Sequence, residues 1–498
     1  MPSVVLVHGY SETSLGAYQN IPELLDRSGF DTIVLSAFDS LDDFVTIDDL
    51  AQALEMRVAD LEATGFSVRD AAFVCHSTGA LAARRWILNR RAAAASPDQA
   101  VLPQRLVTMA GANHGSSLAE IGKTPIGYLQ KLLFDHVLSV GKAVLTDLEY
   151  GSDFLWRLND DWMTAWNDST YPLANQMLAF SLGGDSIGTN EAMKLFWATS
   201  EAGSDNTVRI SGANLNYALL DADPDANPPK ITPRVLNRPV PHKILADYSH
   251  FDNVSGILHA TDTTDTAFAA MLMALRTPAS GYDALAQQWH QENVTWAAGK
   301  PDDANSTVVF NLRNQAGKPI GDCMIAFWDE SDITGDPQNI TLPPSRPAAA
   351  PYVPPADETA AEAAMRQQVI NASLSSSKAI LANSPIHNDV QIGSYSFYLN
   401  YANWVGDGTR HHAIYIEAVS DSQYIEYAPT IYRPSVDINR LIQPNQFTYV
   451  RVTLNRNPDN EYAMYVWTTA LDAAARAAAV WRPFPMLPGR VPPRPPSP

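Results

Sequence analysis

Ala71-Ala72-Phe73-Val74-Cys75-His76-Ser77-Thr78-Gly79, with Leu81-Ala82-Ala83-Arg84-Arg85-Trp86-Ile87 close behind it, is the stretch that decides the fold. Phe73-Val74-Cys75 is a short apolar run of strand type, and 81–87 reads as the helix that follows. The five residues Cys75–Gly79 therefore have to turn a strand into a helix. A serine at the tip of so sharp a turn projects its hydroxyl as a nucleophile. The residues two positions to either side must be small, because strand and helix pack closely there. Gly79 meets that demand. Cys75 stands where glycine is usual; it is small, but it carries a Cβ. The helix aims its first amides and its positive dipole end at the reacting centre, which favours an oxyanion. Ser77 is the candidate nucleophile.

Working outward, Val4-Val5-Leu6-Val7 is a β-branched run ending at His8-Gly9-Tyr10. A carbonyl oxygen that gains charge needs two aligned donors. The backbone N–H of Thr78, after the nucleophile, and that of Tyr10, in the loop after the first strand, are the candidates. Gly9 lets the backbone come close, and His8 reads as a structural histidine of the loop. Thr32–Leu35, Leu106–Met109, Met177–Phe180 and Ile244–Ala246 continue the strands. Residues 46–63 carry apolar side chains at helical spacing (Ile47, Leu50, Leu54, Val58, Leu61). Strands alternating with helices imply a mostly parallel sheet covered on both faces, an α/β architecture.

Chain order in such a fold puts the acid after the nucleophile and the histidine last. Asp185 and Asp205 are the candidate acids. Asp185 follows Gly183-Gly184 and reads as a turn residue, whereas Asp205 sits in the loop Gly203-Ser204-Asp205-Asn206-Thr207-Val208-Arg209 and is favoured. Of the later histidines, His242 precedes its strand and His259 falls in a segment, Val254–Ala260, of helical character. His250 follows Ile244-Leu245-Ala246 at the end of the sheet where the elbow also lies, so it is the expected base. His114 precedes any acid and reads as structural or pocket wall. His411-His412 lacks the company of carboxylates or cysteines that a metal would need and reads as a solvated doublet. The two cysteines, Cys75 and Cys323, read as buried free thiols.

Val4–Tyr10, Cys75–Gly79, Asn113-His114-Gly115-Ser116 and the run Gly203–Asn216 together resemble the lipase and esterase branch of the bacterial α/β hydrolases. The acid loop is similar to that of phospholipase-like members, with Asn206 standing where a glycine is frequent; asparagine tolerates a left-handed backbone. The resemblance covers roughly residues 3–275. It implies an α/β-hydrolase fold and a serine carboxylester hydrolase that cleaves apolar acyl esters through Ser77, His250 and Asp205. It also implies an acyl-enzyme intermediate and no cofactor. Some relatives bind a structural metal near the cap, but no convincing ligand set stands in this sequence. A polyester depolymerase or an acyltransferase would use the same three residues. A reading of another class is a non-catalytic binding or assembly protein with a vestigial hydrolase domain.

The organisation expected is a catalytic domain over 1–290 with a helical, Trp-bearing cap at about 116–175. A β-rich, sandwich-like domain follows over 291–482, with a Pro/Ala-rich insertion at about 341–383, and then a Pro-rich tail at 483–498. Deleting 291–498 then reads as a way to test the β-rich part for substrate binding. Composition fits: 498 residues exceed one core, and 46% hydrophobic with 18% charged residues is globular. A formal charge of −20 is adverse to nucleic acid. The expected partner is a lipid-like or other apolar ester. No run reaches the length of a membrane span. No signal peptide precedes Val4, so a cytoplasmic location is expected, with export by another route left open. The sequence leaves the oligomeric state undecided.

Overall fold

The computed structural model describes residues 2–458 apart from 10–17, 36–41, 117–118, 120–140, 189–200, 224–229, 252–253, 322, 330–385, 388–391, 407–411, 419–424, 428–429 and 433–440. Tyr10, residues 120–140 of the expected cap, the Pro/Ala-rich insertion at about 341–383, residues 459–482 of the expected β-rich domain and the tail at 483–498 lie outside the described residues.

The central sheet contains β1 (Ser3–Val7), β2 (Asp31–Leu35), β3 (Ala71–His76), β4 (Arg105–Met109), β5 (Leu178–Gly184) and β8 (His242–Leu245), in the order β2-β1-β3-β4-β5-β8. All five pairings are parallel. Its strands read as continuous apolar runs because both faces are covered. On β1, Val5 and Val7 enter a core shared with helices α2 (Ile47–Ala63) and α3 (Gly79–Ala93). Val4 and Leu6 enter a second core with α1 (Ile21–Arg27) and two later helices, Thr266–Arg276 and Tyr282–Gly299. Helix α2 starts at a reciprocal cap in which Thr46 and Asp49 satisfy each other's backbone amides. This is the α/β-hydrolase fold.

Between β4 and β5 lie α4 (Lys142–Leu148) and α5 (Asp153–Trp166), the latter started by Ser152, whose side chain accepts from Leu155 N–H. Trp162 and Trp166 are fully buried and Trp156 nearly so. The Trp-bearing part of the expected cap is therefore a core helix. Its apolar face meets α3 through Arg84, whose guanidinium lies over Trp162 at 4.8 Å.

β6 (Tyr217–Asp223) and β7 (Lys230–Val235) leave the central sheet. They join β9 (Asn305–Asn314), β11 (Ile386–His387), β12 (Ser394–Asn400) and β16 (Phe447–Leu454) in a second six-stranded sheet, ordered β11-β12-β9-β16-β6-β7. β16 is parallel to both β6 and β9, with Phe447 opposite Tyr217 and Thr307. The β-rich sheet is thus not confined to residues after 290. A three-stranded sheet of β10 (Cys323–Asp329), β13 (His412–Ala418) and β15 (Thr430–Tyr432) contributes Phe327, Ile414 and Ile416 to the core under Val308, Phe310 and Val450. The short strands β14 (Ile425–Tyr427) and β17 (Arg456–Pro458) pair with each other.

Two smaller readings change. His412 is not solvated: it is buried, bonded through Nε2 to Trp404 O at 2.7 Å and stacked on the Trp404 ring. Of the two thiols, which are unbridged, Cys75 is buried but Cys323 only partly so.

Candidate active site

Ser77 sits at the β3–α3 turn with φ +52°, in the left-handed region that non-glycine residues seldom adopt. Its backbone is over-determined. Ser77 N–H donates to Met109 O at 3.2 Å, and Ser77 O accepts from Ala80 N–H at 3.1 Å and Ala112 N–H at 3.2 Å. Close approach explains the two glycines. A Cβ on Gly79 would stand 2.4 Å from His8 O, and one on Gly9 would stand 2.6 Å from Ser77 Cβ. Cys75, the departure from the small-residue pattern, is accommodated because its side chain points into the core under α3 rather than into the turn. Thr78 is the N-cap of α3, so its amide stands beside Ser77.

The base and acid come from two loops at the same end of the sheet. His250 Nε2 lies 2.9 Å from Ser77 Oγ and His250 Nδ1 lies 2.9 Å from Asp205 Oδ2. With Nδ1–H donating to the carboxylate, Nε2 is left to accept from the serine hydroxyl. The other carboxylate oxygen, Oδ1, accepts the N–H of Thr207 at 3.0 Å and of Val208 at 2.7 Å. His250 N–H donates to Asp205 O at 2.8 Å, which locks the two loops together. Asn206 takes φ +82°, a backbone its short polar side chain tolerates. Both Asp205 and His250 are almost completely buried. A buried carboxylate needs its lone pairs engaged, and two backbone N–H groups plus the imidazole engage this one.

Asp185, the other candidate acid, has a different task. Its Oδ1 accepts Asp247 N–H at 2.5 Å, and its Oδ2 accepts Trp296 Nε1–H at 2.9 Å and Lys300 Nζ at 2.6 Å. It pins the start of the loop that carries His250, at Asp247 with φ +68°. Other described histidines have partners of their own. His242 begins β8 and bonds Ser181 Oγ at 2.9 Å. His259 lies in a turn rather than a helix and bonds Gln19 Oε1. His8 Nδ1 bonds Gly9 O at 2.9 Å. His114 is enclosed by Tyr217, Phe447 and Tyr449. His76, unremarked by sequence reasoning, stacks on His250 with ring centroids 4.8 Å apart, and its Nε2 lies 3.3 Å from His250 O. A polar residue beside the nucleophile was the available signal.

Four of these imidazoles make the fold acid-sensitive. Burial holds His76 and His114 well below the ordinary histidine range, lowers His8, and pushes His242 down to about 3. The unfolded chain takes a proton on each as pH falls through about 6.5, while the folded chain takes it only at lower pH. A depressed folded value therefore means stability is intact above about 6.5 and lost as pH falls toward 3, at up to about 1.4 kcal/mol per pH unit per histidine. The urea midpoint is expected to drop steeply between about pH 6.5 and 4.5, and His242→Gln to flatten that slope by about one proton. A midpoint independent of pH over this range would contradict the assignment of four neutral buried imidazoles.

Among the described residues, no group of three His, Cys, Asp or Glu is placed to hold a metal, and no helix is long and apolar enough to cross a membrane.

A serine at an elbow, a histidine and a buried carboxylate thus meet at one end of an all-parallel sheet of the α/β-hydrolase fold. Phospholipase PlaB from Legionella pneumophila has a similar structure: TM-score 0.73 at 21% identity, covering 94% of this chain and 97% of that one. A second structure of that protein, in complex with thio-NAD, gives 0.70 at 22% identity with the same coverage. By sequence, no family model and no curated protein matches the chain.

Proposed function

We propose that this protein is a serine carboxylester hydrolase acting on lipid-like, apolar acyl esters. The observation that carries the reading is the continuous relay Ser77 Oγ–His250–Asp205, two bonds of 2.9 Å built from three separate segments. His250 takes the proton of Ser77 as Oγ attacks the acyl carbonyl, and Asp205 stabilises the imidazolium and fixes its tautomer. The proton then goes to the leaving alcohol, the acyl group stays on Ser77, and water activated by the same imidazole releases the acid. The N–H groups of Thr78 and Tyr10 are the proposed oxyanion donors.

The apolar preference rests on two supports. Phe251, 44% exposed, sets its ring edge-on to His250 at 5.3 Å and so offers an apolar lip beside the base. The similar fold belongs to a protein named as a phospholipase. The intact relay favours an enzyme over a vestigial hydrolase domain.

A panel of p-nitrophenyl esters from acetate to palmitate, with phosphatidylcholine in mixed micelles beside it, tests the reading. Each buried methylene is worth about 0.8 kcal/mol, so kcat/KM for an octanoyl ester is expected to exceed that for acetate by about tenfold or more. A preference for acetate would remove the apolar-substrate part, and no turnover of any ester would remove the whole.

A further inference from the structure

The acid loop is held from behind by the β-rich sheet. Arg209, four residues past Asp205, is 1% exposed and donates through Nε and Nη2 to the two oxygens of Glu201, at 2.8 and 2.7 Å. Its guanidinium lies between two phenol rings, Tyr150 at 4.6 Å and Tyr398 at 4.0 Å. Tyr398, on β12, donates its hydroxyl to Ala202 O at 2.6 Å, and Asn305, on β9, donates Nδ2–H to the same oxygen at 3.0 Å. Gly203, with φ +73°, starts the loop so close to Asp303 that a Cβ would stand 2.1 Å from its carbonyl. Ile210 N–H returns to Gly203 O at 2.9 Å and closes the loop at its base.

A buried ion pair is a poor stabiliser: taking both charges out of water costs about as much as their attraction returns, and apolar replacements are often neutral or better. Its position gives it a different use. The loop must present one carboxylate to His250 while a guanidinium lies four residues away. An arginine bonds carboxylates in a bidentate fork, so Arg209 is a natural competitor for Asp205. Glu201 and the two phenol faces hold it on the far side of the loop.

We propose that Glu201, Arg209 and Tyr398 form a positioning clamp for the catalytic acid, through which the β-rich sheet sets the geometry of the triad. The clamp acts on Asp205 and rests on the triad reading above. Other charged groups share the surroundings. Asp303 acts on the Tyr398 phenol together with Arg209 and Glu201, and Glu149 is buried next to Tyr150. On the side of His250 stand His76, with His8 acting on it, and behind its loop Asp185, Asp247 and Lys300.

Charge changes separate a clamp from a merely structural pair. kcat, KM and Tm of the full chain are measured from about pH 4.5 to 9 on a soluble p-nitrophenyl ester, with fluorophosphonate labelling of Ser77 as the control. Glu201→Gln removes a negative charge near the relay, disfavours imidazolium, and is expected to move the acid limb of kcat/KM down by about half a pH unit. Arg209→Gln is expected to move it up, and the double variant, in which the two charge changes cancel, to return it to the wild-type position. Tyr398→Phe keeps the ring and the charge but loses the bond to Ala202 O. It is expected to lower kcat about tenfold with KM and the limb unchanged. Unmoved limbs in both single variants, or wild-type kcat in Tyr398→Phe, overturn the proposal even if Tm falls. Where the single variants do not fold, Tyr398→Phe decides alone. If wild-type Ser77 is not labelled, the triad reading fails and the clamp with it. If Ser77 is labelled and the variants behave as wild type, the clamp alone fails.

Discussion

Ser77→Ala is expected to lower ester hydrolysis by about 10⁴-fold or more while the protein stays folded, because the Ser77 hydroxyl bonds His250 at 2.9 Å and the backbone bonds that hold the turn do not involve it. The residual rate should no longer respond to a further His250→Ala change, since two members of one relay cannot be lost twice. Ser77→Gly gives the same loss with an added signature. At φ +52° the serine holds a strained backbone, which costs of the order of 1 kcal/mol and which glycine does not feel. The glycine variant is therefore expected to unfold at a higher urea concentration than the alanine variant, although both are inactive. Retention of more than a tenth of wild-type hydrolysis in Ser77→Ala would place the chemistry elsewhere. A glycine variant weaker than the alanine variant would show that the elbow stores no strain.

The elbow was legible because its demands are local. A turn that sets the elbow against the end of β1 tells its requirements through Gly9 and Gly79, and both glycines face backbone or Cβ atoms under 3 Å from where a side chain would start. Asp205 and His250 followed from chain order and from their place after strands. What failed to show was long-range. The apolar spacing of 153–166 is the same whether the helix covers a site or fills a core, and only the burial of Trp162 and Trp166 separates the two. Tyr217–Asp223 carries no mark of its partner, since its pairing with Phe447–Leu454 crosses more than two hundred residues. Parallel pairing leaves no hairpin signal in between. The clamp was hidden for the same reason: Arg209 and Glu201 lie eight residues apart in a loop, and Tyr398 comes from β12.

That long-range pairing reverses what a truncation would show. Ending the chain at Gly299 is expected to yield insoluble or unfolded protein rather than a soluble esterase stripped of a binding module. β16 lies between β6 and β9, so its removal leaves β6 with a bare edge of unpaired N–H and C=O groups. It also removes Phe447 and Tyr449, which enclose His114 and Tyr217. Tyr449 OH accepts from Asn159 Nδ2 at 2.8 Å, and Asn159 Oδ1 in turn accepts from Arg84 Nη2 at 2.9 Å. Arg84 is wholly buried on the elbow helix, and water would reach it once that layer is gone. Exposing Tyr150, Trp156, Tyr217, Leu219 and Leu220 at about 2 kcal/mol each comes to about 10 kcal/mol, as large as the whole stability of an ordinary domain. Expression followed by circular dichroism and Ser77 labelling checks this. A soluble, labelled fragment of residues 1–299 would mean that the central sheet is self-sufficient and that the β-rich half does no more than attach to it.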